Sequence, residues 1–178
     1  KLVRYDSSKS EAATSLADYV KRMPDGQNAI YYMFGPSRRT LESSPHLEAL
    51  KARGYEVLYM TDPVDEFAVR GLSEFEGKQL VSVAKGGLDL GKLEDEAEKQ
   101  EQAKDADEFK DLTDKIGKSL TERVKEVRVT HRLTDSPACP VADEHDVSGN
   151  LSRILKAAGQ SAPMAKPILE INPRHPVV

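Results

Sequence analysis

Residue types that could do chemistry are few and scattered in this chain. Asp143-Glu144-His145-Asp146 is its only dense run of metal-ligand types. Zinc takes three or four fixed ligands. The four histidines, His46, His131, His145 and His175, lie far apart, and none has a second histidine or a cysteine four residues on. The run therefore reads as an exposed loop, with no metal expected. Cys139, the single cysteine, stands between Ala138 and Pro140 with no positive helix end to activate it. It reads as a buried or incidental thiol. It also cannot close an internal disulfide, which fits a reducing compartment and a cytoplasmic location. Neither G-x-x-x-x-G-K-[ST] nor G-x-G-x-x-G occurs. Gly86-Gly87-Leu88-Asp89-Leu90-Gly91 carries glycines, but acids follow it and would repel a phosphate, so it reads as a turn. The residues offer no convergent catalytic set. A small α/β enzyme using Asp143, His145 and Cys139 stands as an alternative, and a purely structural spacer as another.

The elements that must position side chains alternate in the first half. Thr14 is the expected N-cap of a helix over Ser15–Met23, ended by Pro24-Asp25-Gly26. Ala29–Phe34 is a continuous apolar run, the pattern of a strand covered on both faces. A helical hairpin follows from Ser37 to Arg53, broken near Ser43-Ser44-Pro45 and closed by Gly54. Glu56–Met60 is a second buried strand. Asp62 is positioned to cap a helix with Pro63 at its first position, and Val64, Phe67, Ala68 and Leu72 share one face. Leu80–Val83 is a third strand. Strand, helix, strand, helix, strand implies right-handed crossovers, hence an α/β three-layer αβα sandwich around a short parallel sheet.

Lys92 to Asp111 holds nine acids and four lysines, while the chain as a whole carries −4. This acidic connector separates two nearly neutral blocks, and no basic footprint for nucleic acid exists. The expected domains are 1–88, a connector over 89–106 that is a solvated helix or a tether, and a small α+β domain over 107–178. In that last block Phe109, Leu112, Ile116 and Leu120 form one helical stripe. Val124–Leu133 alternates, with Val127, Val129, His131 and Leu133 on the apolar face; a hydrogen-bonded core histidine is the reading for His131. Pro137–Ala142 and Ile168–Ile171 are strand candidates. Ser148–Ala158 is an amphipathic helix ended by Gly159. No run of ~18 apolar residues could span a membrane.

Short runs in order along nearly the whole chain resemble the ninety-kilodalton heat-shock chaperones. In the first block they are Leu2-Val3-Arg4-Tyr5-Asp6-Ser7-Ser8, Ser15–Met23, Ser43-Ser44-Pro45-His46-Leu47-Glu48, Val64-Asp65-Glu66 and Glu74-Phe75-Glu76-Gly77-Lys78. In the second they are Val129–Ala138, Ala157-Ala158-Gly159-Gln160 and Leu169-Glu170-Ile171-Asn172-Pro173. The resemblance implies the end of that family's middle domain followed by the start of its C-terminal domain. It places the ATP pocket, with its Mg, and the arginine loop that reaches it before Lys1, and the helices that pair two protomers after Val178. ATP hydrolysis is therefore expected of a longer parent and of no residue here.

The resemblance also implies partners: partly folded client proteins, the parent's own N-terminal domain, a second protomer and other chaperones. Client contacts carry over to Glu66, Phe67 and Arg70 on the first helix, with Phe67 where a tryptophan is typical of some relatives. On the amphipathic helix they carry over to Val147, Leu151, Ile154 and Leu155, with Val147 and Leu151 replacing methionines. Aliphatic side chains keep the apolar character and lose adaptability.

Overall fold

The computed structural model describes residues 3–86, 96–143, 146, 149–160 and 165–178. Its first unit is a five-stranded sheet between two helical layers. The elements run β1 (Asp6–Ser7), α1 (Leu16–Arg22), β2 (Ala29–Phe34), α2 (Arg38–Glu42), a 3-10 turn (Pro45–Leu47), α3 (Glu48–Ala52), β3 (Val57–Met60), α4 (Asp65–Gly71), β4 (Glu74–Phe75) and β5 (Lys78–Ser82). The spatial order is β1-β3-β2-β5-β4. The three inner strands are parallel, as the apolar runs require. The sequence did not announce β1 and β4, two-residue edge strands that pair antiparallel.

Alternation along the central strands feeds two cores. Tyr31 and Met33 of β2 join Val57 and Tyr59 of β3 beneath Leu41, Leu47 and Leu50. Ile30 and Tyr32 join Leu58 and Met60 beneath Leu16, Tyr19, Val69 and Leu72. Helices α1 and α4 thus cover one face and α2 and α3 the other, which makes the three layers. Leu50 and Leu58 are fully buried, so truncating either to alanine costs about 2–5 kcal/mol.

The cap of α1 is Ser15, one residue after the expected Thr14; its hydroxyl accepts from Asp18 N–H. Thr14 instead pairs its backbone with Tyr5 and is buried. Buried Glu56 receives Nε (3.1 Å) and Nη2 (2.7 Å) of Arg22 and the Ser7 hydroxyl, tying β1 and α1 to the start of β3.

The second unit contains α5 (Glu96–Glu108), α6 (Lys110–Ser119), β6 (Glu126–Val129), β7 (Ala138–Val141), α7 (Gly149–Ala157) and β8 (Ile168–Ile171). Its sheet order is β6-β8-β7, with β8 parallel to β6 and antiparallel to β7. The polar face of β6 is partly covered, with Glu126 exposed at its start. Arg128 and Arg132 turn toward Glu170, a buried carboxylate of β8, at 2.7 and 3.5 Å, and Thr130 is buried. Burying a carboxylate is costly unless charge-assisted hydrogen bonds replace its water, and the two guanidiniums supply them here. His131 is hydrogen-bonded, Nε2 to Asp105 Oδ2 at 2.8 Å, which fastens α5 to the strand it crosses. A second tie, Arg174 to Glu101 at 2.8 Å, holds the same helix. Among the described residues, then, the acidic connector is a helix with two anchors on the second unit. Residues 89–95 of the expected connector lie outside the described residues.

Candidate functional site

Helix α4 is inverted relative to an ordinary amphipathic helix. Val64 at its N-cap and Phe67 one turn on are 61% and 57% exposed, while Asp65 and Glu66 are 6% and 5% exposed. The expected apolar face of Val64, Phe67, Ala68 and Leu72 is therefore divided. Leu72 and Val69 pack inward on the sheet, and Val64, Phe67 and Ala68 face solvent. The expected cap, Asp62, does not cap the helix: its Oδ1 accepts from Val64 N–H at 3.0 Å in the preceding turn, and Val64 is the N-cap with no side-chain cap hydrogen bond. Burial raises the Asp65 carboxyl above its usual range, with the nearby Asp62 charge acting in the same direction and a hydrogen bond from the Asp62 backbone opposing both.

Glu66 faces the second unit. Its Oε1 accepts from Asn150 Nδ2 of α7 at 3.1 Å, across 84 residues of sequence. The two helices singled out from the sequence are thereby neighbours. Beside this contact lies a cleft of about 180 Å³, lined by Tyr32 and Phe34 at the end of β2, Ser82 at the end of β5, Glu66 and Arg70 of α4, and Asp146. From β2 the chain crosses to β3 on one side, while β5 lies on its other side. The cleft thus opens at the point where connections diverge, outside the carboxyl ends of parallel strands, where α/β sheets characteristically admit ligands.

The candidate residues do not all share one surface. Phe67 projects outward, Arg70 is exposed and lines the cleft, and Glu66 is buried against α7. On α7, Leu151 is 4% exposed and packs inward, whereas Ile154 and Leu155 are half-buried. Val147 lies outside the described residues. A recess of about 420 Å³ runs under Gly149, Ser152 and Lys156 of α7, so this helix is seated incompletely on its unit.

The groups weighed for catalysis behave otherwise. Cys139 is buried, and desolvation pushes its thiol up to about 11, so it is protonated at neutral pH. Its sulfur lies 3.6 Å from His46 Nδ1, and burial, reinforced by Arg132, pushes that imidazole down to about 4. A neutral imidazole beside a protonated thiol is not the ion pair of a cysteine nucleophile. Asp143 pairs with Lys125; Glu144 and His145 lie outside the described residues. No group of three or more metal-ligand side chains occurs among the described residues, and none of the described helices is long and apolar enough to cross a membrane. The cleft carries charges of both signs, Arg70 and Lys85 beside Glu66 and Asp146.

Sequence reasoning missed the contacts that join the units. Lys85 and Ala142 form a parallel bridge, with Gly86 N–H donating to Ala142 O (2.8 Å) and Ala142 N–H to Ala84 O (3.1 Å). A Cβ at Gly86 would lie 2.5 Å from Arg128 Nη2 and 3.2 Å from Val141 Cγ2, so a side chain there would push the guanidinium away from its place beside Glu170. Arg132 donates to Val83 O (2.7 Å) and Lys85 O (3.0 Å). Glu48 accepts from the backbone N–H groups of Thr134 (2.7 Å), Asp135 (3.0 Å) and Ser136 (3.2 Å), and from the Ser136 hydroxyl.

Comparison with known proteins gives matches along the whole chain. The family described as Hsp90 protein matches residues 1–178. The chain is 63% identical over 180 residues to "Chaperone protein HtpG" of Aromatoleum aromaticum, covering 99% of this chain and 28% of that protein. It is 57% identical over 180 residues to the protein of the same name from Dechloromonas aromatica, with the same two coverages. For that from Myxococcus xanthus the identity is 54% over 179 residues, covering 99% of this chain and 27% of that protein. The chain spans little more than a quarter of the length of these relatives.

Proposed function

The chain belongs to the Hsp90 protein family, and on that premise we propose that it supplies a client-binding surface and an interdomain joint to a molecular chaperone. The observation that carries this reading is the inversion of α4. A helix that buries two carboxylates and exposes Val64 and Phe67 gains nothing for its own domain from that apolar stripe. A partly folded protein offers the complementary apolar segments. The Glu66–Asn150 contact brings α7, with half-buried Ile154 and Leu155, beside this stripe, so one extended segment can meet both helices. Arg70 at the cleft edge supplies a polar rim of the kind that orients bound chains.

In this proposal, ATP binding and hydrolysis with Mg, pairing of protomers and contacts with other chaperones belong to other parts of a longer protein. Their closing motions would be transmitted through the joint between the two units. Phe67→Asp tests the client reading: the variant should fold and should bind a permanently destabilised protein more weakly. A purely structural spacer is the second reading, favoured by the dense hydrogen bonding across the joint, and it predicts no loss of client affinity.

A further inference from the structure

We propose that Glu48 is the latch that holds the two units in their docked orientation, closing on the turn formed by Thr134, Asp135 and Ser136. The carboxylate opens α3 in the first unit, and the turn precedes β7 in the second. Three successive backbone N–H groups and one hydroxyl converge on it, which makes the turn a nest of the kind that binds free anions. Here the anion is tethered to the other unit, 86 to 88 residues away in sequence.

Location gives this contact its effect. Among the described residues, the other contacts across the joint come from Arg132 to the Val83 and Lys85 carbonyls, from the Lys85–Ala142 bridge, from Asn150 to Glu66 and from Cys139 Sγ to the His46 imidazole beside the grip. Those to Val83, Lys85 and Gly86 gather on the segment where the chain leaves β5, so they resemble a hinge. Glu48 grips from a different element, the start of α3, and a rotation about the β5 exit must pull it out of its nest. The titratable and charged groups around the grip are the neutral His46 on the 3-10 turn, Asp135 in the turn itself, the Cys139 thiol, Arg132, and Glu170 on β8, whose charge Arg128 and Arg132 offset. Burial pushes the Glu48 carboxyl up, but the Ser136 hydroxyl and the three amides outweigh it and hold the group below its usual value. The docked arrangement thus favours the ionised latch. This inference stands whether or not α4 and α7 bind clients.

Native-state hydrogen exchange on the 178-residue chain tests it, because the joint carries its own reporters. The amides of residues 134–136 report the nest, and those of Gly86 and Ala142 report docking at the hinge side. Amides in β3 and β8 report the two cores. In Glu48→Gln, exchange at 134–136, Gly86 and Ala142 should accelerate together by about tenfold to a hundredfold, the range for losing hydrogen bonds to a charged group, while both cores keep their protection. Acceleration confined to 134–136, or no acceleration, overturns the proposal and leaves Glu48 as a local turn cap. If Glu48→Gln also strips protection from the cores, Ser136→Ala decides. It removes a single hydroxyl bond, and a smaller joint acceleration at Gly86 and Ala142 supports the latch, whereas unchanged exchange there overturns it.

Discussion

The Glu66 carboxylate and the Asn150 amide meet at 3.1 Å across the boundary between two sheets, and through this pair α4 and α7 become one surface. Coupling between residues in direct contact is measurable with a double-mutant cycle. Glu66→Gln and Asn150→Ala should each destabilise the chain by about 1–2 kcal/mol, and the double variant should lose less than their sum. Strict additivity in urea unfolding would mean that the two helices are neighbours without being coupled.

Burial separates the apolar candidates. Phe67→Asp places a charge where the side chain is already 57% exposed and should shift stability by no more than ~1 kcal/mol. Leu151→Asp forces a charge into a position 4% exposed and should cost several kcal/mol. Thermal melts of the two variants check this directly, and equal losses would mean that α4 packs against something in solution.

Acid should loosen the joint through His46. Its folded value is pushed down to about 4, against an ordinary 6.5. Between these values the unfolded chain takes up a proton that the folded one refuses, so stability falls as pH falls from 6.5 to 4. The loss attributable to this group is about 3 to 4 kcal/mol at most. Replacing His46 with Gln should flatten the stability profile across that window, and a profile unchanged in slope would refute it. Glu48 acts lower down. Its depressed carboxyl contributes stability that is present above about 4.5 and is lost as pH falls through its folded value.

Cys139 should be inert in the folded chain, being 3% exposed with its thiol held protonated. Alkylation by iodoacetamide at pH 8 should proceed at the rate of unfolding or of local opening and become fast only in denaturant. Rapid stoichiometric labelling of the native chain would contradict the observed burial.

Much of the fold was legible, for physical reasons. The run Ala29–Phe34 has no polar alternation because both faces of β2 are covered, and Gly54 and Gly159 end helices at φ +69° and +73°. The edge strands β1 and β4 were not legible, since two residues carry no period. On α4 the rule that apolar residues face inward held for Leu72 and failed for Val64, Phe67 and Ala68. Val64, Phe67 and Ala68 have helical spacing, but so do Asp65, Val69 and Leu72, and only the tertiary contacts of Asp65 and Glu66 show which set is inside. The resemblance pointed to Glu66, Phe67 and Arg70 together, yet their environments differ from buried to open. Contacts such as Glu48 with Thr134 join residues 86 apart and leave no local trace at all. The acidic helix α5 lacks an apolar stripe, and its attachment through Asp105 and Glu101 depends on partners far along the chain.

The central claim is that the exposed stripe of α4 contacts client proteins. Its most direct test is the affinity of Phe67→Asp for a permanently destabilised protein, measured by titration after its melting temperature has been shown to match the parent chain. An apolar anchor at a binding surface is worth about 1–2 kcal/mol, so the account predicts a weakening of roughly fivefold to thirtyfold. Undiminished affinity in a fully folded Phe67→Asp chain would contradict it.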